Sequence, residues 1–266
     1  MALPRTWSTL LLLTALAAAG CGGHRPHSTR PIASAAASTS SASTASAVVP
    51  PPAPAMPRPN AAFAPVLPLL RPAGPPLRLP TWLPAPAAGD HFYFSVKADA
   101  QAYTVDIAQA ATPAAPNSLP AVPQADLLGE VAAGAPGQLG PSPADVAPAT
   151  GGSAQAIVPG LTGTFYPEKG DRLYALLLWQ RDGWTFEVAD ATGQSRGVST
   201  LLPYARKLVA AAASPPVPGV ATGTVVQTLA ADNAAVWVLW REGTWEYRVQ
   251  GYNAPALQLA GSMVSG

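Results

Sequence analysis

Three histidines, one cysteine and 14 acidic side chains are the groups in this 266-residue chain with the chemistry for catalysis or metal binding. They do not gather. His24 and His27 stand beside Cys21 near the N-terminus, which leaves His91 alone in the rest of the chain. A histidine/cysteine metal site needs three or four ligands, so no metal and no cofactor are expected. Nucleophilic catalysis built on His91 would need a serine in a strained turn close to it. His91 instead opens a strand-like run with no such serine nearby. Paired carboxylates for glycoside hydrolysis would have to come from Asp171, Asp182, Glu187, Asp190 or Glu246. These fall at turns or on polar strand faces, where solvated charge is the rule. The expectation is a protein that is not an enzyme, with an envelope hydrolase as the least favoured reading.

The tryptophans are the stronger signal. WQRDGWTFEV, Trp179 to Val188, is echoed by WREGTWEYRV, Trp240 to Val249, at a constant offset of 61. Five of the seven tryptophans (Trp179, Trp184, Trp237, Trp240 and Trp245) lie in these two units. Buried aromatics would supply the core of a small sheet, and exposed ones a platform that stacks on sugar rings or an apolar partner. The core reading is the stronger of the two. Trp184 and Trp245 share the buried parity, while Trp179 and Trp240 next to the turns are the candidates for partial exposure, so all four are named as ligand-stacking candidates.

Repetition at fixed spacing outranks local propensity as a guide to architecture. Leu173–Trp179 and Ala235–Trp240 read as buried strands, with Asp182-Gly183 and Glu242-Gly243 as turns. The return strands alternate: Trp184, Phe186 and Val188 against Thr185 and Glu187, and Trp245, Tyr247 and Val249 against Glu246 and Arg248. Helices should follow. Leu201, Ala205, Leu208 and Ala212 fall on one helical stripe, and Leu257, Ala260 and Val264 recur likewise. A fainter copy, Gly89–Ala108, lies on Gly170–Ala189 at an offset of 81, with Gln124–Ala133 as its helix. The predicted fold class is α+β: an antiparallel sheet of tandem β-hairpin–helix repeats with helices on one face, behind a long disordered N-terminal region. The repeats occupy 89–133, 158–213 and 217–266, with a Gly/Pro/Ala linker over 134–157.

Residues 1–20 read as an export signal: Arg5, an apolar run Leu10–Leu13, then small residues before Cys21. The run is short for a bilayer span. The sole cysteine directly after small residues resembles the lipobox of bacterial lipoproteins, with Ala18 where leucine is usual. That resemblance implies lipid attachment at Cys21 and an exported protein anchored on the outer side of a cell membrane. Residues 21–88, rich in Ala, Ser, Thr and Pro, read as a disordered tether because they bury too little apolar area to offset ordering entropy. A coil of that length would average ~45 Å end to end. Charge divides in step: residues 1–89 carry six arginines and no acid, and residues 90–266 carry nine cations and 14 acids. A folded part with a negative balance disfavours nucleic acid as a partner.

The pattern W-x-x-x-G-x-x-Y-x-V followed by a helix with an alanine and a terminal Leu/Met-Val resembles a family of unknown function. Its members are exported and membrane-anchored proteins of Gram-positive bacteria, often linked with sporulation or anti-sigma-like proteins. That family is in turn similar to the periplasmic lipoprotein-carrier and sigma-regulator fold, a curved antiparallel sheet with helices on its concave side. The resemblance covers about 50 residues in each of two copies, carries no catalytic residue and implies sensing, binding or scaffolding. The expected partners are therefore the membrane through its lipid anchor and an envelope protein, an apolar ligand or, as the alternative, cell-wall polysaccharide.

Overall fold

Two tight turns set the frame. Asp182 and Gly183 both adopt positive φ (52° and 82°), the pairing a type I′ turn requires, and join the strands Ala175–Arg181 (β7) and Trp184–Asp190 (β8). In the second unit Gly243 alone has positive φ, 59°, as a type II′ turn requires, between Ala234–Glu242 (β10) and Trp245–Tyr252 (β11). Both loops hold two residues, with Arg181 opposite Trp184 and Glu242 opposite Trp245. The one-place shift of glycine therefore changes turn type and leaves the hairpin register unchanged.

The computed structural model describes residues 57–119, 122–139, 151–168, 175–190, 197–213, 215–229, 234–252 and 254–265. In chain order the remaining strands are Arg78–Pro80 (β1), His91–Ala98 (β2), Ala102–Ala110 (β3), Leu127–Gly134 (β4), Ser153–Val158 (β5), Leu161–Tyr166 (β6), Gly223–Leu229 (β9) and Met263–Ser265 (β12). The helices are Val198–Ala211 (α1) and Ala254–Gly261 (α2). Ten strands form one sheet in the order β2-β3-β4-β11-β10-β9-β8-β7-β6-β5, antiparallel except where β8 runs parallel to β9. Strands β1 and β12 pair separately.

A ladder of apolar residues crosses eight of those strands. Val96, Val105, Val131, Val249, Val238, Val225, Phe186 and Trp179 stand opposite one another in turn. All are buried, because period-two alternation puts each on the face that the helices cover. Helix α1 rests its Leu201, Ala205 and Leu208 stripe on β7 and β8, while α2 rests on β10 and β11.

This architecture corrects the predicted α+β fold class. The protein is mostly β, 46% strand against 15% helix, with one large mixed sheet and two α-helices among the described residues. The expected helix at Gln124–Ala133 is a 3-10 turn, Gln124–Asp126, followed by β4. Antiparallel pairing on both edges, to β3 and β11, outweighs the helix propensity of its Leu, Glu and Ala residues. In that register Ala133 sits buried between Tyr103 and Tyr247. The helix expected through Val264 ends at Gly261, and the chain returns as β12. Part of the 134–157 linker is edge strand β5.

The expectation of a disordered tether over 21–88 is corrected for residues 57–88. Residues 57–88 pack on the sheet, with Phe63, Val66, Leu70, Leu79 and Leu83 all buried and the Phe63 ring 5.2 Å from that of Phe94. Proline density hides five apolar anchors there. Arg78 of β1 pairs with Glu242 at 2.6 Å, and Glu242 also accepts from Trp240 Nε1 at 2.9 Å. The Tyr103 and Tyr247 hydroxyls donate to the carbonyls of Arg78 and Pro76, at 3.2 and 3.1 Å. The expected export signal, Cys21, His24, His27 and the first part of the expected tether lie outside the described residues.

At the β8–β9 junction Gly223 lies opposite Trp184, and a Cβ there would stand 2.4 Å from the indole and 2.6 Å from the Leu239 carbonyl oxygen. Gly223→Ala is therefore expected to destabilise the fold by about 1–3 kcal/mol. Urea unfolding followed by tryptophan fluorescence measures this, and an unchanged midpoint would refute the packing argument.

Candidate functional site

The tryptophans belong to the core. Trp179, Trp184 and Trp240 are each 3% exposed or less. The ring face of Trp179 is taken by Phe186 (5.4 Å between centroids, 10° between planes) and that of Trp240 by Tyr247 (5.3 Å, 13°). Trp184 Nε1 donates to the Val220 carbonyl at 3.3 Å, and Trp245, partly buried, packs against the same cluster. The ligand-stacking expectation for Trp179, Trp184 and Trp240 is thus corrected: neighbouring rings and helices occupy the faces a sugar would need. Trp237 has the opposite parity and lies on the other side of the sheet, under the Arg248 guanidinium at 5.2 Å. Arg248 also pairs with Glu130 at 2.7 Å.

The described carboxylates among those candidates do not converge either. Asp182 is in a turn beside Arg181 at 3.3 Å, and Glu246 pairs with the exposed Arg241. Glu187 and Asp190 are both buried but three residues apart on one strand, hence on opposite faces. Asp171 lies outside the described residues. His91 is exposed at the start of edge strand β2. Among the described residues no three His, Cys, Asp or Glu side chains gather as metal ligands, and no helix is long and apolar enough to cross a membrane.

The site with a shape suited to a ligand is a cleft between the helices. Because α1 sits on β7 and β8 and α2 on β10 and β11, strand β9 lies between them. There the structure leaves a cavity of about 450 Å³. Helix α1 contributes Tyr204, Lys207, Leu208 and Ala211, the sheet Gln227 and Val236, and α2 Leu257. Leu208, Val236 and Leu257 are buried apolar walls. Lys207 is exposed at the mouth, with Nζ 5.8 Å from the Tyr204 ring centroid.

Gln227 departs from the pattern. It follows Gly223 and Val225 on the inward parity of β9, faces Val188 and Val236 across the sheet, and is 5% exposed. Its amide makes no hydrogen bond among the described residues and is not sealed from solvent, so it keeps contact with water through the cleft. The only sequence signal for this site was a polar residue at an apolar parity, and that parity is readable once the register of β9 is known.

Glu187 has no role in the cleft, yet it governs a pH response. It stands on the opposite face between Leu178 and Val226, and burial pushes its carboxyl up to about 7. Between its ordinary value near 4.5 and about 7, the folded chain holds a proton that the unfolded chain has lost. Its contribution to stability is thus full below about 4.5 and is lost as pH rises through 7. Glu187→Gln removes this titration. In urea unfolding the variant is expected to exceed the parent by on the order of 3 kcal/mol at pH 8 and to match it near pH 4.5. A difference independent of pH would contradict the assignment. Asp106 shifts the same way, through burial and then the nearby Glu130 charge, and remains in both proteins as a common background.

No family model, curated protein or solved structure matches the chain.

Proposed function

We propose that this chain is a non-enzymatic extracytoplasmic lipoprotein, acylated at Cys21, whose sheet domain binds an apolar ligand in the cleft between α1 and α2. The observation that supports the binding role is the cleft itself: about 450 Å³, apolar walls from two helices and the sheet, and few convergent polar groups. Ligand pockets commonly have this size and lining. The wall-polysaccharide alternative has less support, since Trp179, Trp184 and Trp240 have no free ring face. The hydrolase reading has less support as well: of the carboxylates named for it, Asp182 and Glu246 pair with arginines, and Glu187 and Asp190 face opposite sides of the sheet.

Two measurements test the proposal. The mature protein released from cell membranes should carry acyl chains on an N-terminal Cys21 by mass spectrometry, and an unmodified residue there would refute the anchor. The full chain should bind an environment-sensitive apolar dye. Ala211 is exposed at the mouth, so Ala211→Trp should fill the opening, abolish dye binding and leave the melting temperature unchanged. Undiminished dye binding in this variant would place the apolar site elsewhere.

A further inference from the structure

Resting on that reading of the cleft, we infer that its ligand is an acylamino carboxylate: an apolar body joined through a secondary amide to a carbon bearing a free carboxylate. Three features of the lining select this chemistry. The first is the Gln227 amide on the floor, 5% exposed, facing the cavity and without a hydrogen bond among the described residues. A plain alkyl chain laid over it would shut it from water and offer nothing in return. A secondary amide presents one donor and one acceptor, and the glutamine side chain presents the complementary pair, so the two form a two-bond match.

The second feature is Lys207. Its ammonium stands at the mouth beside the Tyr204 ring and has no carboxylate partner among the described residues. No acidic side chain lines the cleft among those residues either. A compact, exposed point charge of this kind is suited to an anionic group that remains partly in water. The third is the apolar wall of Leu208, Val236 and Leu257, which takes the remainder of the molecule. Polar floor, cationic mouth and apolar wall together match an amide and a carboxylate adjoining one apolar chain. Both an N-acyl amino acid and the C-terminal residue of an apolar peptide have that chemistry.

The test uses the full-length protein with bound apolar dye and three displacing probes. Dodecanoate has the carboxylate and chain without the amide, N-decanoylglycine has all three at similar length, and N-acetyl-trileucine supplies them as a peptide. N-decanoylglycine or the peptide should displace dye at about tenfold lower concentration than dodecanoate, and whichever is stronger identifies the source of the ligand. Gln227→Leu, which replaces the cleft-facing amide with an apolar group of similar size, should remain folded, still bind dodecanoate and lose the tenfold preference. Lys207→Gln should weaken all three probes. Equal displacement by dodecanoate and the amides, or a preference that survives in Gln227→Leu, would overturn the inference while leaving the cleft as an apolar site. Failure of every probe to displace the dye would overturn both.

Discussion

The parallel pairing of β8 with β9 is the constraint on which the rest of the molecule depends. It is the one parallel contact in a ten-stranded sheet and the seam between two antiparallel halves. Parallel neighbours cannot be joined by a tight turn, so the chain must leave β8 and travel back along the sheet before entering β9. Helix α1 lies on that route, and its landing on β7 and β8 keeps it off β9. The second unit, whose helix follows β11, covers β10 and β11 in the same way. The cleft over β9 is therefore a product of topology: two helices placed by their own hairpins, with a strand between them that belongs to neither.

Close packing at that seam explains the residue types found there. Gly223 admits the Trp184 indole against the backbone, and the buried ladder from Val96 to Trp179 carries the core across without interruption. Along that ladder valine occupies the strands from β2 across to β9 and aromatics occupy β8 and β7. The residue that interrupts the inward face of β9 is Gln227, which lines the cleft together with side chains of both helices.

How much of this was legible in the sequence depends on the range of the interactions. The hairpins were readable because alternation and turn glycines are local: Trp184, Phe186 and Val188 share a face as expected, and Asp182-Gly183 forms the turn. The predominance of sheet over helix was not. Leu127–Gly134 has helix-forming residues, and only its two neighbours, β3 and β11, make it a strand. Phe63, Val66 and Leu70 were hidden for a related reason, since proline-rich composition averages away a few anchors whose partners lie beyond residue 90. The bulk of the tryptophans points to the core, while the stacking of Trp179 on Phe186 and of Trp240 on Tyr247 depends on cross-strand register. The cleft involves α1, β9, β10 and α2 together, and no local pattern encodes such a meeting.

The pairing of β1 with β12 has a consequence for the order in which the molecule assembles. Arg78 donates to the Ser265 hydroxyl across 187 positions of sequence, and β4 finds β11 only after more than a hundred intervening residues. Contacts so distant carry a heavy loop-closure cost and slow the search for the native state. During synthesis Phe63, Val66 and Leu70 emerge long before residues 263–265, the strand on which β1 pairs. The segment that carries these anchors therefore cannot complete its pairing until β12 has been made.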